Sequence, residues 1–169
     1  MIRQLFPTDY IPSIFDLNIS ELKRNNIKGL IFDIDNTLVP FDVTHPSEKI
    51  INFFEELKSH GFKICLVSNN TEERVIKFNE RLKVFAIHKA SKPRSRSFKK
   101  AMALMQTDQN NTIVIGDQIF TDVWGGNKAG IKTILVVPVS ERDEWITKIK
   151  RGLERTVIRI YERQRKKLK

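Results

Sequence analysis

The sequence has little of what builds disulfide scaffolds, zinc sites or membrane spans. Its 169 residues include one cysteine, Cys65, so a single chain can form neither a disulfide framework nor a zinc site made of cysteines. Cys65 lies in an apolar run at 62–67, which predicts a buried, inert thiol. No apolar run approaches the ~20 residues that span a bilayer. Residues 1–7 lack the features of a secretory signal, and we expect a cytoplasmic protein.

Tryptophan and tyrosine are also scarce, at two residues each, whereas phenylalanine occurs 11 times. We interpret the phenylalanine excess as core filling. Hydrophobic residues make up 40% and charged residues 30% of the chain, which excludes wholesale disorder. The length fits a single domain with one core.

Positive charge is in excess and unevenly placed. The formal net charge is +10, and residues 141–169 hold eleven Lys or Arg against five Asp or Glu. A basic surface attracts nucleic acid, acidic lipid and phosphorylated substrates. We predict a core with an N-terminal leader at 1–140 and a basic amphipathic helix of the same domain at 141–169.

Apolar residues recur in that tail at spacings of three and four, on one helical face. They are Ile146, Ile149, Leu153, Val157 and Ile160. The pattern leaves three interpretations open: a helix docked on its own domain, a helix on an anionic membrane with Trp145 near the interface, or an RNA or DNA contact.

Short apolar segments alternate with helical patterns along the rest of the chain. The predicted strands are 30–32, 62–67, 84–87, 112–115 and 133–137, and the predicted helices are 48–59, 71–81, 97–105 and 121–129. This alternation is typical of βαβ units, and the strands read as buried on both faces. We therefore predict an α/β, three-layer, Rossmann-like fold with a five-stranded, mainly parallel sheet.

Reactive polar residues follow four of these strands. Asp33 and Asp35 follow the first strand, Ser68 the second, Lys92 the third and Asp117 the fourth. Ligands of open α/β sheets bind beyond the carboxyl ends of the strands, so we expect these side chains to meet at one edge.

The residue types at this edge favour phosphoryl chemistry. Two carboxylates as close as Asp33 and Asp35 repel unless a cation joins them, and Mg²⁺ prefers such oxygen ligands, with Asp117 and Asp122 as natural additions. A carboxylate can attack phosphorus when metal neutralises the phosphoryl charge, and a second carboxylate can serve as acid and then base.

Donors must also meet the phosphoryl oxygens. Candidates are the Ser68 hydroxyl, the Lys92 ammonium and loop N–H groups around Ile34 and Asn69. Asn69 and Asn70 are otherwise typical turn residues, and Thr37 is expected to shape the first loop.

Taken together, the motifs resemble those of the haloacid dehalogenase superfamily. They are Asp-Ile-Asp-Asn-Thr-Leu at 33–38, Ser68 at a strand end, Lys92 before a proline, and Gly-Asp-Gln-Ile-Phe-Thr-Asp at 116–122. The match covers residues 29–139. The leader and the stretch at 116–130 are similar to the YqeG-type branch of subfamily IIIA, which includes mitochondrial phosphatidylglycerophosphate phosphatases.

The resemblance implies a role for each motif residue. It makes Asp33 the nucleophile, Asp35 the general acid and base, Asp117 a direct metal ligand, Asp122 an outer ligand, and Ser68 and Lys92 phosphate clamps. It further implies a Mg²⁺-dependent phosphatase, with phosphatidylglycerophosphate as the expected substrate and the basic tail as a peripheral membrane contact.

The spacing of the motifs leaves no room for a cap domain, so we expect an open site that suits a phosphate at the end of a larger molecule. Nucleotides, phosphosugars and nucleic acid ends remain alternative substrates. A basic RNA-binding or assembly factor with a vestigial site is the alternative from another class of protein.

Overall fold

A computed structural model describes the main chain of residues 2–140 and 145–167 and the side chains of residues 3–140 and 152–166. The strands in this part are β1 (Asp9–Ile11), β2 (Gly29–Phe32), β3 (Lys63–Val67), β4 (Phe85–Ile87), β5 (Thr112–Gly116) and β6 (Lys132–Val136). The α-helices are α1 (Ile19–Arg24), α2 (Glu48–Ser59), α3 (Glu72–Asn79), α4 (Ser95–Met105), α5 (Trp124–Lys128) and α6 (Trp145–Lys167). None of the helices in these ranges is long and apolar enough to cross a bilayer.

The six strands form one parallel sheet in the order β1-β6-β5-β2-β3-β4. Alternate residues of β2 enter different cores: Leu30 and Phe32 face the side covered by α2 and α3, and Ile31 faces the side covered by α4. Helices therefore lie on both faces of the sheet, which confirms the three-layer α/β prediction.

Phenylalanine does fill much of this core. Phe32, Phe54, Phe78 and Phe98 are completely buried, and each contributes about 1.5–3 kcal/mol through burial of its side chain. Cys65 is buried as well, and burial raises the pKa of its thiol to about 12, against a smaller opposing effect of Lys100. The expected inert thiol agrees with this environment.

The predicted number of five strands is wrong by one. Strand β1 pairs with β6, joining Asp9 to Ile134 and Ile11 to Val136. The strand has three half-buried residues between Pro7 and Pro12, which is too short for a period-two pattern to show. Proline beside an edge strand is tolerated, because the outer N–H groups of that strand have no ladder partner to lose.

The segments between the sequence motifs are short. In residues 2–140, β2 and β3 are separated by one loop and α2, and β3 and β4 by α3. Helix α2 has the predicted bounds, and the Ser47 side chain caps it by accepting from the Ile50 N–H. Within this range the structure shows no inserted cap domain.

Helix α6 lies against the core through part of the predicted apolar face. Val157 is buried with Ile119, Val123 and Leu135, and the Tyr161 ring packs on Phe6 at 5.9 Å between centroids. The side chains of Trp145, Ile146 and Ile149, which the tail prediction used, lie outside the described residues.

The other apolar positions of the helix differ from one another. Ile160 is half-buried, whereas Leu153 is 61% exposed. The described contacts therefore favour the docked interpretation for the middle of this helix.

Candidate active site

Strand β2 delivers Asp33 to the carboxyl edge of the sheet. The Asp33 N–H donates to the Ile115 carbonyl of β5, which continues the ladder by one residue. The chain then turns sharply, because the N–H groups of Thr37 and Leu38 both return to the Ile34 carbonyl. Asn36 has φ 62°, a left-handed conformation that asparagine tolerates better than most residues. The motif sequence itself thus forms the turn that follows Asp33 and carries Asp35.

Four buried charged side chains, which we call the inner cluster, meet at this edge: Asp33, Lys92, Asp117 and Asp122. The Lys92 ammonium donates to Asp33 Oδ1 and to Asp122 Oδ1, each at 2.6 Å. Carboxylate oxygens of the three aspartates lie within 4.8 Å of one another. The structure thus brings together residues from three strands that the sequence placed at one edge.

Negative charge exceeds positive charge in the inner cluster. Burial raises the pKa of Asp33 well above its ordinary value, Lys92 opposes the rise, and Asp122 and Asp117 add to it. Burial alone would lower the pKa of Lys92, but Asp122 and Asp33 outweigh it and raise that pKa. Three carboxylates around one ammonium favour binding of a further cation, which would stabilise the carboxylate form of Asp33.

The inner cluster can hold a metal ion. Its donors are all carboxylate oxygens, closely spaced and buried, and hard divalent cations such as Mg²⁺ prefer oxygen ligands. The residues present therefore fit the ion that the sequence motifs imply. The Asp35 carboxylate is not part of this oxygen cluster.

Gly116 makes room for Asp122. A Cβ atom at position 116 would lie 2.4 Å from the Asp122 carboxyl carbon, a distance that no ordinary contact permits. The Gln118 N–H also donates to Asp122 Oδ2 at 3.2 Å. The sequence Gly-Asp-Gln at the end of β5 thus holds Asp122 against the strand.

The C-terminal helix supports the same loop. Glu154 of α6 is only 3% exposed, and its Oε1 accepts from the N–H groups of Ile119 at 2.8 Å and Phe120 at 3.3 Å. These residues begin the π-helical turn Ile119–Val123, which carries Asp122. A carboxylate at the start of a helical turn satisfies N–H groups that the turn leaves unpaired.

Thr37 joins two of the carboxylates, a role that sequence reasoning missed. Its hydroxyl lies 3.0 Å from Asp117 Oδ1 and 3.3 Å from Asp33 Oδ2 and is 1% exposed. One hydroxyl proton can be donated to only one of them at a time. Thr37 was expected only to shape the loop, because the sequence gives no sign that its side chain turns inward.

The predicted phosphate-binding residues have distinct surroundings. Ser68 is 1% exposed, and its Oγ accepts from the Asn70 N–H at 3.1 Å. The Asn69 side chain pairs with the main chain of Lys92, accepting from its N–H at 2.7 Å and donating to its carbonyl at 3.3 Å. Asn69 therefore fixes the backbone that carries the Lys92 ammonium.

Asp35 lies beside the inner cluster, in contact with helix α3 and the turn before it. The Arg74 Nη2 donates to Asp35 Oδ1 at 2.9 Å, and the Asn70 Nδ2 donates to Asp35 Oδ2 at 3.0 Å. We call Asp35 and Arg74 the outer pair; their side chains are 21% and 12% exposed. The two motif carboxylates thus lie in different environments, one buried with a lysine and one partly hydrated with an arginine.

Sequence reasoning also missed Arg74, although a signal was present. Thr71 caps α3 by accepting from the Arg74 N–H, and the third helical position of such a cap favours Glu or Gln. An arginine there lies near the positive end of the helix dipole, which is unfavourable. Glu154 was missed because it stands among the basic residues of the tail.

The comparisons with known proteins agree with this geometry. Residues 13–136 match the family described as haloacid dehalogenase-like hydrolase. The chain is 42% identical over 165 residues to a Bacillus subtilis protein named "Probable phosphatase YqeG", covering 97% of this chain and 96% of that protein.

Two further matches are more distant. The chain is 27% identical over 161 residues to phosphatidylglycerophosphate phosphatase 1, chloroplastic/mitochondrial, of Arabidopsis thaliana, covering 85% of this chain but 44% of the plant protein. The crystal structure of a HAD phosphatase from Thermococcus onnurineus superimposes with a TM-score of 0.56 at 14% identity, covering 70% of this chain and 90% of that one.

The structural match shows the shared fold, while the family match and the Bacillus relative span the motif residues of the inner cluster. On these grounds the chain belongs to the haloacid dehalogenase-like hydrolases and is a phosphatase of that family.

Proposed function

We propose that this phosphatase hydrolyses phosphate monoesters in a Mg²⁺-dependent reaction through an aspartyl-phosphate on Asp33. The observation that supports it most is the inner cluster itself. A buried carboxylate lies 2.6 Å from a lysine ammonium and within 4.8 Å of two more carboxylates, which is suited to binding a dianionic phosphate together with a cation.

In the first step, an oxygen of Asp33 forms a bond to phosphorus and the bond from phosphorus to the leaving oxygen breaks. The leaving oxygen keeps the electron pair and takes a proton from Asp35. In the second step, Asp35 removes a proton from water, the water oxygen attacks phosphorus, and the bond to Asp33 breaks. Inorganic phosphate and the Asp33 carboxylate result.

The remaining residues bind and orient. Mg²⁺, held by Asp33 and Asp117 with Asp122 behind and the Asp35 main-chain carbonyl as a further ligand, would neutralise charge on the phosphoryl oxygens. Lys92 has three N–H donors, and its two described carboxylate contacts leave one for a phosphoryl oxygen. Ser68 and the Asn69 N–H would supply further, neutral donors to the phosphoryl oxygens.

The proposed substrate is phosphatidylglycerophosphate. Support comes from the name of the plant relative and from the absence of a cap between β2 and β4, which leaves room for a phosphate on a large molecule. The proposal includes a cytoplasmic enzyme at the inner face of a membrane. Helix α6 exposes Arg155, Arg159 and Arg163, which can attract anionic lipid at ~1 kcal/mol per residue near the surface.

Phosphate release from p-nitrophenyl phosphate tests the chemistry. We expect activity with Mg²⁺, loss of activity in EDTA, and loss of at least about a thousandfold in Asp33→Asn. Asp16→Asn, an exposed acid in the short 3₁₀ helix Ile14–Asp16, is the matched control. Activity that survives both EDTA and Asp33→Asn would rule out the mechanism.

A substrate panel tests the specificity. Phosphatidylglycerophosphate in mixed micelles should be hydrolysed with a higher kcat/KM than nucleotides, phosphosugars or 5′-phosphorylated oligonucleotides. A preference for any of these would replace the lipid proposal.

Vesicle sedimentation tests the membrane contact. Binding to phosphatidylglycerol vesicles should exceed binding to phosphatidylcholine vesicles and weaken in Arg159→Glu/Arg163→Glu. The control with the same charge change is Lys63→Glu/Lys132→Glu, at exposed positions that begin β3 and β6. Binding to RNA instead of vesicles would favour the nucleic acid alternative.

A further inference from the structure

Arg74 holds the carboxylate of Asp35 from outside the inner cluster. The guanidinium Nη2 reaches Asp35 Oδ1 at 2.9 Å, while Asn70 reaches the other carboxylate oxygen at 3.0 Å. The side chain of Arg74 is 12% exposed, so the contact is shielded from water more than a surface ion pair is.

The position of Arg74 is unfavourable for the folded protein. Its Nε and Nη1 atoms are buried and have no hydrogen-bond partner among the described residues. Donors left unpaired in this way weaken the folded state. Arg74 also occupies the first turn of α3, where the helix dipole disfavours a cation.

The arginine is nevertheless fixed in place. Its main-chain N–H donates to Thr71, and its guanidinium lies 5.7 Å from the ring centroid of Phe78, which is completely buried. Arg74 thus weakens the folded state and is still held rigidly beside a reactive carboxylate. This combination is typical of a functional position, where a residue serves activity at the expense of local stability.

We propose that Arg74 is a positioning residue that orients Asp35 for proton transfer. The proposal rests on the acid–base role of Asp35 given above. The guanidinium holds one carboxylate oxygen, and the other oxygen carries the proton that passes to the leaving oxygen as the bond to phosphorus breaks. In the hydrolysis step the same oxygen accepts the proton from water.

Leaving groups of different basicity separate this role from a structural one. An alkoxide needs the proton, whereas p-nitrophenolate leaves readily without it. Since kcat/KM reports transfer of the phosphoryl group to Asp33, Arg74→Leu should lower kcat/KM for glycerol phosphate about 10- to 100-fold. The same variant should nearly retain kcat/KM for p-nitrophenyl phosphate.

With the aryl substrate the second step should then limit turnover. Arg74→Leu should lower kcat and produce a burst of p-nitrophenol equal to the enzyme concentration, because the phosphoryl-enzyme accumulates. Arg74→Lys should restore part of the glycerol phosphate activity. The melting temperature of Arg74→Leu should change little, since removal of the buried unpaired donors offsets loss of the ion pair with Asp35.

Arg81→Leu is the matched control. Arg81 lies just beyond α3 and makes an exposed ion pair with Glu48 at 2.6 Å, so this variant loses an arginine–glutamate pair in which no residue of the inner cluster or the outer pair takes part. It should behave as the wild type with both substrates.

A lower melting temperature together with equal losses for both substrates in Arg74→Leu would overturn the proposal. Asp35→Asn, measured in parallel, separates failure of the positioning role of Arg74 from failure of the acid–base role of Asp35. Selective loss with the alkyl substrate in Asp35→Asn but not in Arg74→Leu rejects only the role of Arg74. Selective loss in neither variant rejects the acid–base role of Asp35 itself.

Discussion

The inner cluster and the outer pair place carboxylates from one short motif in two different environments. The side chains of Asp33 and Lys92 are 9% and 3% exposed. Those of Asp35 and Arg74 are 21% and 12% exposed. In the drier environment, charges interact strongly and an excess of carboxylates favours a cation. In the wetter one, water and a leaving group can approach. This difference in hydration fits the two proposed roles, with Asp33 as the nucleophile and Asp35 as the acid–base group.

The largest expected effect is on the inner cluster. Lys92→Met leaves its buried carboxylates without a counter-charge, and we expect a loss of about 3–5 kcal/mol in the free energy of unfolding of the metal-free protein. Turnover should fall by about 10²- to 10³-fold, since a donor to the phosphoryl group is lost. Urea denaturation and phosphate release measure the two effects.

Lys63→Met, at an exposed position, controls for loss of a lysine. Unchanged stability of metal-free Lys92→Met would mean that the inner cluster does not depend on buried charge pairing, and its contrast with the outer pair would disappear.

The next largest effect is expected at Glu154, in the C-terminal helix that contacts the loop carrying Asp122. Glu154→Ala removes the acceptor for two loop N–H groups and should cost about 1–3 kcal/mol. The Mg²⁺ concentration for half-maximal activity should rise about 10-fold, because the loop that carries Asp122 loses its support.

Glu154→Gln keeps an acceptor oxygen and should lie between Glu154→Ala and the wild type in both measurements. A Mg²⁺ requirement that is the same in all three proteins would show that α6 stabilises the fold without affecting the site.

A smaller effect is expected from Thr37→Val, which keeps the shape of the side chain. The variant loses one hydrogen bond to a carboxylate of the inner cluster, and a loss of about 1.4 kcal/mol in the transition state corresponds to a tenfold lower rate. Phosphate release at saturating Mg²⁺ measures it. A rate equal to that of the wild type would show that the hydroxyl only fills space.

The smallest effect is expected at Asn70, which contacts the outer pair through Asp35. Asn70→Ala removes one partly exposed hydrogen bond to Asp35, worth about 0.5–1 kcal/mol, so the rate should fall about threefold. The free energy of unfolding should change by less than about 0.5 kcal/mol. A loss of stability as large as that expected for Lys92→Met would contradict the contrast between the two environments.

The sheet and the edge of the site could be predicted because their signals are local. Apolar runs ending in Asp33, Ser68 and Asp117 mark strands and their carboxyl ends, and parallel strands bring those ends together. Strand β1 could not be predicted, since its three residues are too few for a pattern. The individual roles of Asp33, Asp35, Ser68 and Lys92 stay predictions until the variants are measured.

The sequence by itself determined the alternation of strands and helices from β2 onward and the meeting of the motif residues at one edge, because periodicity and strand ends act over a few neighbouring residues. Only the tertiary structure decided which side chains pair there. Arg74 reaches Asp35 across 39 residues of chain, and Glu154 reaches Ile119 across 35. Such contacts depend on how helices pack on the sheet, where the exclusion of water sets the strength of each pair, and no local pattern records that packing.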